Sequence, residues 1–363
     1  MRLLLALLAC TGAPALDSAD SGAPPEDTGP ADADGDGVYT PEDCDDTRAE
    51  VFPGAAEDPP GDGIDGDCEG GDGPAFVGCA PIRVPDEYPT IEEALADGIF
   101  SICLGPGTFT TAAIPADSEA PTALRGQGRN LTFVEDPSAH YEVKVLAGLT
   151  ATGVVSAAGT LSFSDVSFVD ATIDGFDSII AERSAFVRSP IVVDVVERIA
   201  GIALLDSWID GAEAGIVLNM DGCERGCSGL YTDLRMYGMT FTNNAAAIAL
   251  DIAGDYDIYS VIENSVFYDN GAILTVKTPG GAAEVPRVSI SGSGNVEWSE
   301  RGTSFPDDYG FSTKEQDPLF DLAFSPPRPS ADSPLIDAAR GDATPLDFWG
   351  TTREEADKGA VER

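Results

Sequence analysis

Histidine is nearly absent from this chain: His140 is the only one among 363 residues. A lone imidazole cannot build a multi-histidine metal centre. His140 sits in the loop-like run Pro137-Ser138-Ala139-His140-Tyr141, where a packed or solvated role is expected. Lysine is almost as scarce, with only Lys144, Lys277, Lys314 and Lys358, and the 20 basic residues face 63 acidic ones for a formal charge of −43. A polyanion of that size repels nucleic acid and anionic lipid headgroups, which removes both from the expected partners. Aromatic residues make up 8% of the chain against 43% apolar residues overall, a balance that suits many short strands with small side chains. No apolar run is long enough to span a bilayer. No G-x-S-x-G surrounds a serine, no glycine loop for phosphate occurs, and Gly280-Gly281 reads as a turn.

Cysteine is present in moderation and sorts by position. Cys10 stands behind an apolar run, and the other six fall as Cys44/Cys68, Cys79/Cys103 and Cys223/Cys227. Pairing of sequence neighbours is the simplest of several connectivities. Disulfides fit an exported chain better than a cytosolic one. Met1-Arg2 followed by the apolar run from Leu3 to Ala9 has the order of charges in a signal peptide, over residues 1–9. The run ends Leu7-Leu8-Ala9-Cys10, which resembles a bacterial lipobox. That resemblance implies a lipidated Cys10 as the mature N-terminus; the alternative is ordinary cleavage a few residues later, with Cys10 discarded. Residues 10–31, rich in Ala, Gly, Pro, Ser and Asp without periodicity, read as a flexible acidic tether.

Between Thr11 and Gly73 there are 19 Asp or Glu residues and a single base, Arg48. Such a tract cannot pack alone, because self-repulsion and backbone entropy both oppose it. A bound dication changes that balance. Asp32, Asp34 and Asp36 stand at positions 1, 3 and 5 of a calcium-type loop, Gly37 at the turn and Asp43 at position 12. Val38 offers a backbone carbonyl and Thr40 a hydroxyl or a held water. The aspartate at position 12 has a shorter arm than the usual glutamate. Helices do not flank the loop, since Pro30 precedes it and Pro41 interrupts it, so an EF-hand that opens a groove is not expected. Asp62, Asp65 and Asp67 form a second acidic cluster beside Cys68. The competing reading is a disordered acidic linker with Asp-Gly repeats.

The D-x-D-x-D-G start at 32–37, Asp43-Cys44-Asp45-Asp46, Pro53-Gly54-Ala55 and the run from Asp62 to Gly70 are together similar to the metal-binding motif of MopE-type bacterial surface proteins. Glu69 replaces the usual aspartate of its ending, and a third cysteine before the second acid cluster is missing. The resemblance implies a metal-binding module over residues 32–72, closed by a Cys44–Cys68 disulfide, and the ligand spacing of its loop points to Ca2+ as the ion.

From residue 79 onward the composition turns to alternating apolar and small residues. Thr90 and Glu93 have capping-box spacing, and Ile91, Ala94 and Leu95 share one helical face. The strand Ser101-Ile102-Cys103-Leu104 follows, and a Cys79–Cys103 bond would tie the lead-in to it. Short strands then recur with aromatic anchors at 168, 186, 208, 241 and 267, which are 18, 22, 33 and 26 residues apart. Such periods predict a solenoid, with Asn243, Asn244, Asp269, Asn270 and Gly271 at its corners and the 90–95 helix as its cap. The longest step holds Cys223 and Cys227, which fits a bulging loop pinched by a small disulfide. The segment 84–95 with Gly105-Pro106-Gly107-Thr108-Phe109 resembles the start of pectin-lyase-like proteins. Asp317-Pro318-Leu319-Phe320, Ser333-Pro334-Leu335-Ile336-Asp337 and 357–362 resemble the C-terminal wrap of secreted bacterial β-helix proteins. The resemblance implies an all-β fold, a right-handed parallel β-helix over residues 79–363; a β-sandwich is the runner-up.

No polygalacturonase pattern and no Arg-x-Pro-x-x-Arg run is present. Asp165, Asp170, Asp194, Asp206, Asp210, Asp251 and Asp269 lie near strand ends, as turn acids or as a cluster on one face. Tyr231, Tyr237, Tyr256, Tyr259 and Tyr268 with Trp208 would line a sugar-binding face if exposed; core packing or scattered placement is the alternative. The expectation is a monomeric, non-catalytic surface lipoprotein of the bacterial envelope, facing outward from the outer membrane, or else secreted. It would bind calcium and present a β-helix for adhesion, glycan binding or envelope structure. Its partner would be a polysaccharide or another surface protein, with no nucleic acid and with membrane contact only through the lipid. The alternative function is a calcium-assisted polysaccharide lyase or glycoside hydrolase with an unrecognised active site; a spacer without ligand is a third.

Overall fold

The computed structural model describes residues 33, 38–39, 45, 47–48, 51, 79–110, 113–114, 123–135, 140–157, 160–175, 178–194, 201–220, 231–252, 257–277, 287–299, 313–322, 325–339, 347–348 and 357–361. Short strands of alternating inward and outward residues expose unpaired backbone groups on both edges. Here the strands of the inner coils meet that demand by pairing in parallel with their counterparts one coil earlier and one coil later. The result is a right-handed parallel β-helix with three faces, and parallel crossovers take that hand almost without exception. Face A runs from Ser101–Cys103 through Ala123–Arg125 and on to Gly201–Leu205, Tyr231–Tyr237, Asp257–Glu263 and Arg287–Ser291. Face B runs from Gly107–Phe109 through Thr132–Val134 to Ala185–Val187, Trp208–Asp210, Thr240–Thr242, Val266–Tyr268 and Asn295–Trp298, ending on Thr313–Glu315. Face C includes His140–Glu142, Ile191–Asp194, Ala214–Met220, Ala246–Ile252 and Leu274–Lys277. Two long strands, Val145–Ala157 and Thr160–Gly175, bend through all three faces. The β-sandwich is ruled out by this parallel register; the described antiparallel pair is Phe320–Asp321 with Arg328–Pro329.

The helix Ile91–Ala96 caps the first coil. The Thr90 hydroxyl accepts the Glu93 N–H at 3.2 Å, and Ile91 and Ala94 are buried, with Leu95 packed beside the core. A disulfide joins Cys79 to Cys103 with Cα atoms 5.4 Å apart, which ties the lead-in to the first strand.

Inside, like residues stack on like. Phe168 lies over Phe186 at 5.2 Å between ring centroids, and Phe241 over Phe267 at 5.0 Å. Register corrects one anchor: Phe186 and Phe241 both align with Ile209, and Trp208 aligns with Ala185 and Thr240 on the outer side of face B. The five expected anchor strands all belong to face B, so each step between them measures one full coil.

The corners explain how so many turns stay tight. Between faces A and B, Asp165, Arg183, Asp206, Gly238 and Asn264 adopt φ between 45° and 60°; between B and C, Asp170, Arg188, Gly211, Asn243 and Asp269 do the same between 50° and 68°. Asparagine and aspartate tolerate this left-handed conformation, and glycine adopts it freely. Buried Asn244 and Asn270 link consecutive corners, with Asn244 Nδ2 donating to Asn270 Oδ1 at 2.9 Å and Asn270 Nδ2 to the Phe241 carbonyl at 2.9 Å. Ser184 and Ser207 form a similar ladder at the other corner, where the Ser184 N–H donates to the Ser207 hydroxyl at 3.0 Å. His140, expected in a loop, instead opens a face C strand, because its backbone is claimed by residue 113 below and residue 154 above.

Described residues after Glu315 return as a strap along face B. Leu335 buries against Val266 and Val296, while Phe348, Ala360 and Val361 bury against Ala185 and Trp208.

Candidate metal module and exposed coil face

The acidic tract is described at a few positions, of which 45, 47, 48 and 51 are joined by turn contacts. The Asp45 carbonyl accepts the N–H groups of Thr47 at 2.6 Å and Arg48 at 2.9 Å, and the Val51 N–H donates to the Arg48 carbonyl at 2.9 Å. The Asp45 carboxylate accepts the Thr47 hydroxyl at 2.6 Å and pairs with Arg48 Nε at 3.2 Å. The one base of the tract is thus spent on the acid that follows Cys44, which makes Asp45 a turn-forming residue. Val51 is buried.

Of the expected metal ligands, Val38 is described and half-buried. Asp32, Asp34, Asp36, Thr40 and Asp43 lie outside the described residues, as do Asp62, Asp65 and Asp67. So do Cys10, Cys44, Cys68, Cys223 and Cys227. Among the described residues no three Cys, His, Asp or Glu side chains converge as a metal site. Apart from Cys44 and Cys68, the donors at the expected ligand positions are carboxylates, a hydroxyl and a backbone carbonyl, and no histidine lies between Thr11 and Gly73. Hard oxygen donors of this sort fit calcium, whereas imidazole would point to copper, nickel or zinc.

On the coil, the strand-end acids turn out to serve the corners and faces singly. Asp165 takes a bidentate contact from Arg183, with Nε at 3.0 Å and Nη2 at 2.9 Å, and Asp170 one from Arg188 at 2.6 Å for both bonds. The Arg188 guanidinium, donating to the Asp170 carboxylate, holds its pKa below the ordinary value. Asp194 accepts Asn219 Nδ2 at 2.8 Å, and Asp210 accepts the Thr242 hydroxyl at 2.6 Å and Asn243 Nδ2 at 2.9 Å. Asp206 is buried at its corner, Asp251 aligns with Asn219 and Lys277 along face C, and Asp269 accepts the Ser299 hydroxyl at 3.4 Å. These acids sit at three different edges and faces, so they do not form one carboxylate cluster.

The described aromatic residues do not share one face either. Trp208 is buried under the strap and donates Nε1–H to Thr242 Oγ1 at 2.8 Å, and Tyr268 packs edge-on against Phe320 of the strap at 5.5 Å. Tyr237 and Tyr259 lie on face A, where Tyr259 is 51% and Ile180 43% exposed. The side chain of Tyr231 and all of Tyr256 lie outside the described residues. Face A around them carries Arg235, whose guanidinium pairs with Asp233 at 2.7 Å, and the partly exposed Ala203, Leu205 and Val261.

A residue that sequence reasoning passed over is Arg129. It lies in a corner of the second coil and donates Nη2–H to the Phe348 carbonyl at 2.9 Å, a partner 219 residues away. No local pattern signals such a contact.

Residues 43–73 match a family model described as "Putative metal-binding motif", of the copper-binding MopE type. The chain therefore carries a MopE-type metal-binding motif. The match takes in Asp43, Cys44, the second acidic cluster and Cys68, and the calcium-type run at 32–37 precedes it. No curated protein and no solved structure matches the chain. Among the described residues no helix is long and apolar enough to cross a membrane.

Proposed function

We propose that this is an exported, non-catalytic protein of the bacterial envelope that binds calcium through its acidic module and uses the outer surface of its β-helix to hold a polysaccharide or another surface protein. The match of a metal-binding motif to an acid-rich, cysteine-flanked tract carries the metal half of this reading. Calcium is assigned over copper on the donor set: Asp32, Asp34, Asp36, Val38, Thr40 and Asp43 as one ligand group, Asp62, Asp65 and Asp67 as a second, and a Cys44–Cys68 bond holding the two together. Dication charge offsets the repulsion that otherwise keeps the tract open.

For the coil, face B is covered by its own C-terminal strap, and that directs binding to face A. Its exposed Tyr259, half-buried Tyr237 and Arg235 offer ring surface and hydrogen bonds to sugar hydroxyls. The Leu7-Leu8-Ala9-Cys10 run supplies export and a lipid on Cys10.

The metal test is calorimetry and thermal melting of the full chain with Ca2+ and, separately, Cu2+. Calcium should release or take up heat and raise Tm in line with mass action, RT ln(1 + [L]/Kd). Paired Asp34→Asn and Asp65→Asn changes should weaken it. Heat with copper alone overturns the calcium assignment, and heat with neither overturns the metal reading. Glycan arrays should show binding that Tyr259→Ala lowers, without new reducing ends or unsaturated sugars; turnover would replace this reading with an enzymatic one. Cys10→Ala should move the protein out of the membrane fraction.

A further inference from the structure

The strap meets the coils one after another as it descends. Leu335 lies over Val266 and Val296; the Gly359 N–H donates to the Asn264 carbonyl at 2.8 Å; the Ala360 N–H donates to Thr240 Oγ1 at 2.9 Å; and Ala360 and Val361 cover Trp208 and Ala185. Its lowest described contact is Phe348. The Phe348 N–H donates to the Ala360 carbonyl at 2.7 Å, so the strap is doubled there, and its carbonyl accepts Arg129 Nη2. The Phe348 ring lies 3.9 Å from the Arg129 guanidinium carbon. Arg129 Nη1 also donates to the Arg183 carbonyl at 3.2 Å. One cation from the second coil therefore binds the strap and a corner of the coil stack together.

We infer that the strap contacts of Leu335, Phe348 and residues 357–361 form a latch, closed on Arg129, which braces the coils against one another and opens separately from the coil core. A solenoid held only by contacts between neighbouring coils can fray from either end. A segment that grips several coils at once makes local fraying costlier, because loosening one coil also strains the strap. Arg129 suits the closing contact chemically. Its planar fork reaches two carbonyls at once while its face covers an aromatic ring. Desolvation lowers its pKa to about 10, with Asp165 opposing that shift, Arg183 adding to it and Asp347 opposing it, so it stays charged at neutral pH. A desolvated cation of this kind is costly once its acceptors leave, which ties strap release to water entry around Trp208. With the latch shut, the apolar strip of Ala185 and Trp208 is closed to any partner. This inference stands apart from the metal and glycan assignments.

Hydrogen–deuterium exchange of the full chain tests it, with peptides from the strap (357–361) read beside peptides from the core strand Ala246–Ile252. Arg129→Ala should speed strap exchange about tenfold or more and leave the core strand near wild type, as expected of sub-global opening. Gly359→Val attacks the latch from the other side: Gly359 has φ +97°, and a Cβ there would lie 2.8 Å from Thr240 Oγ1. It should produce the same pattern. Strap exchange unchanged in Arg129→Ala overturns the role of Arg129, and equal acceleration of strap and core in Gly359→Val overturns the separate latch. If Arg129→Ala does not fold, Arg129→Lys, which keeps the charge but loses the planar fork, takes its place and is read by the same two patterns.

Discussion

Two arginine–aspartate pairs occupy equivalent corners of neighbouring edges, yet their surroundings differ. Arg183 and Asp165 each keep 14% of their side-chain surface exposed, whereas Arg188 and Asp170 keep 53% and 62%. Water screens the second pair and not the first. Asp165→Asn should therefore lower unfolding free energy by roughly 1–3 kcal/mol in urea titrations, since it leaves a half-buried guanidinium with a poorer partner. Asp170→Asn should shift the urea midpoint much less than Asp165→Asn does. The sign of any pH effect follows from the lowered Asp170 pKa. Its contribution is present above the unfolded-state carboxylate pKa and fades as pH falls through the lower folded value. Corner chemistry was legible in the chain at Asn243, Asn244, Asp269 and Asn270. It was not legible at Arg183 and Arg188, because arginine has no intrinsic taste for a left-handed backbone and is held there by the coil below.

At the scale of the strand and the stack, face B carries the test of register. Phe241 is fully buried between Ile209 and Phe267, so Phe241→Ala should cost about 3–5 kcal/mol and open a cavity. Trp208 is one residue from the true anchor, Ile209. Ile209→Ala should destabilise the coil as a core truncation does, by about 2–5 kcal/mol. Trp208→Ala should instead raise strap exchange first, since its ring meets Phe348, Ala360 and Val361. In the Ser207-Trp208-Ile209-Asp210 run both readings of the alternation are open, and a one-residue slip exchanges inside for outside. Pairing with Phe186 below and Phe241 above decides it. Asn270→Ala should cost about 1–3 kcal/mol, because it strips partners from the buried Phe241 carbonyl and from Asn244.

For the molecule as a whole, charge dominates. With a formal −43, compaction works against self-repulsion, so raising NaCl from about 0.01 M to about 0.5 M should raise Tm through screening. A Tm that falls or holds over that range would mean that the acids are already neutralised locally. Calcium and monovalent salt should be separable: an effect at millimolar calcium that survives in high salt reports coordination, and one that vanishes reports screening. The acidic module and the coil also differ in how far sequence reading reached. The order of its carboxylates and cysteines marks the module, and the motif match over 43–73 covers all of it beyond the first loop.

Local physics accounts for what the chain order alone settled. Period-two alternation specifies strands, capping-box spacing the 91–96 helix, and asparagine and aspartate the corners, whereas the 79–103 bond was one of several pairings the chain order left open. Each of the first three needs only a few neighbouring residues. Folding in three dimensions decided the rest: which face is covered, which residue of an adjacent pair points inward, and that an arginine in an early corner would meet a phenylalanine near the C-terminus. Those outcomes depend on contacts between segments far apart in the chain, whose free energy is set by surface shape and excluded water and leaves no periodic trace in the order of the residues.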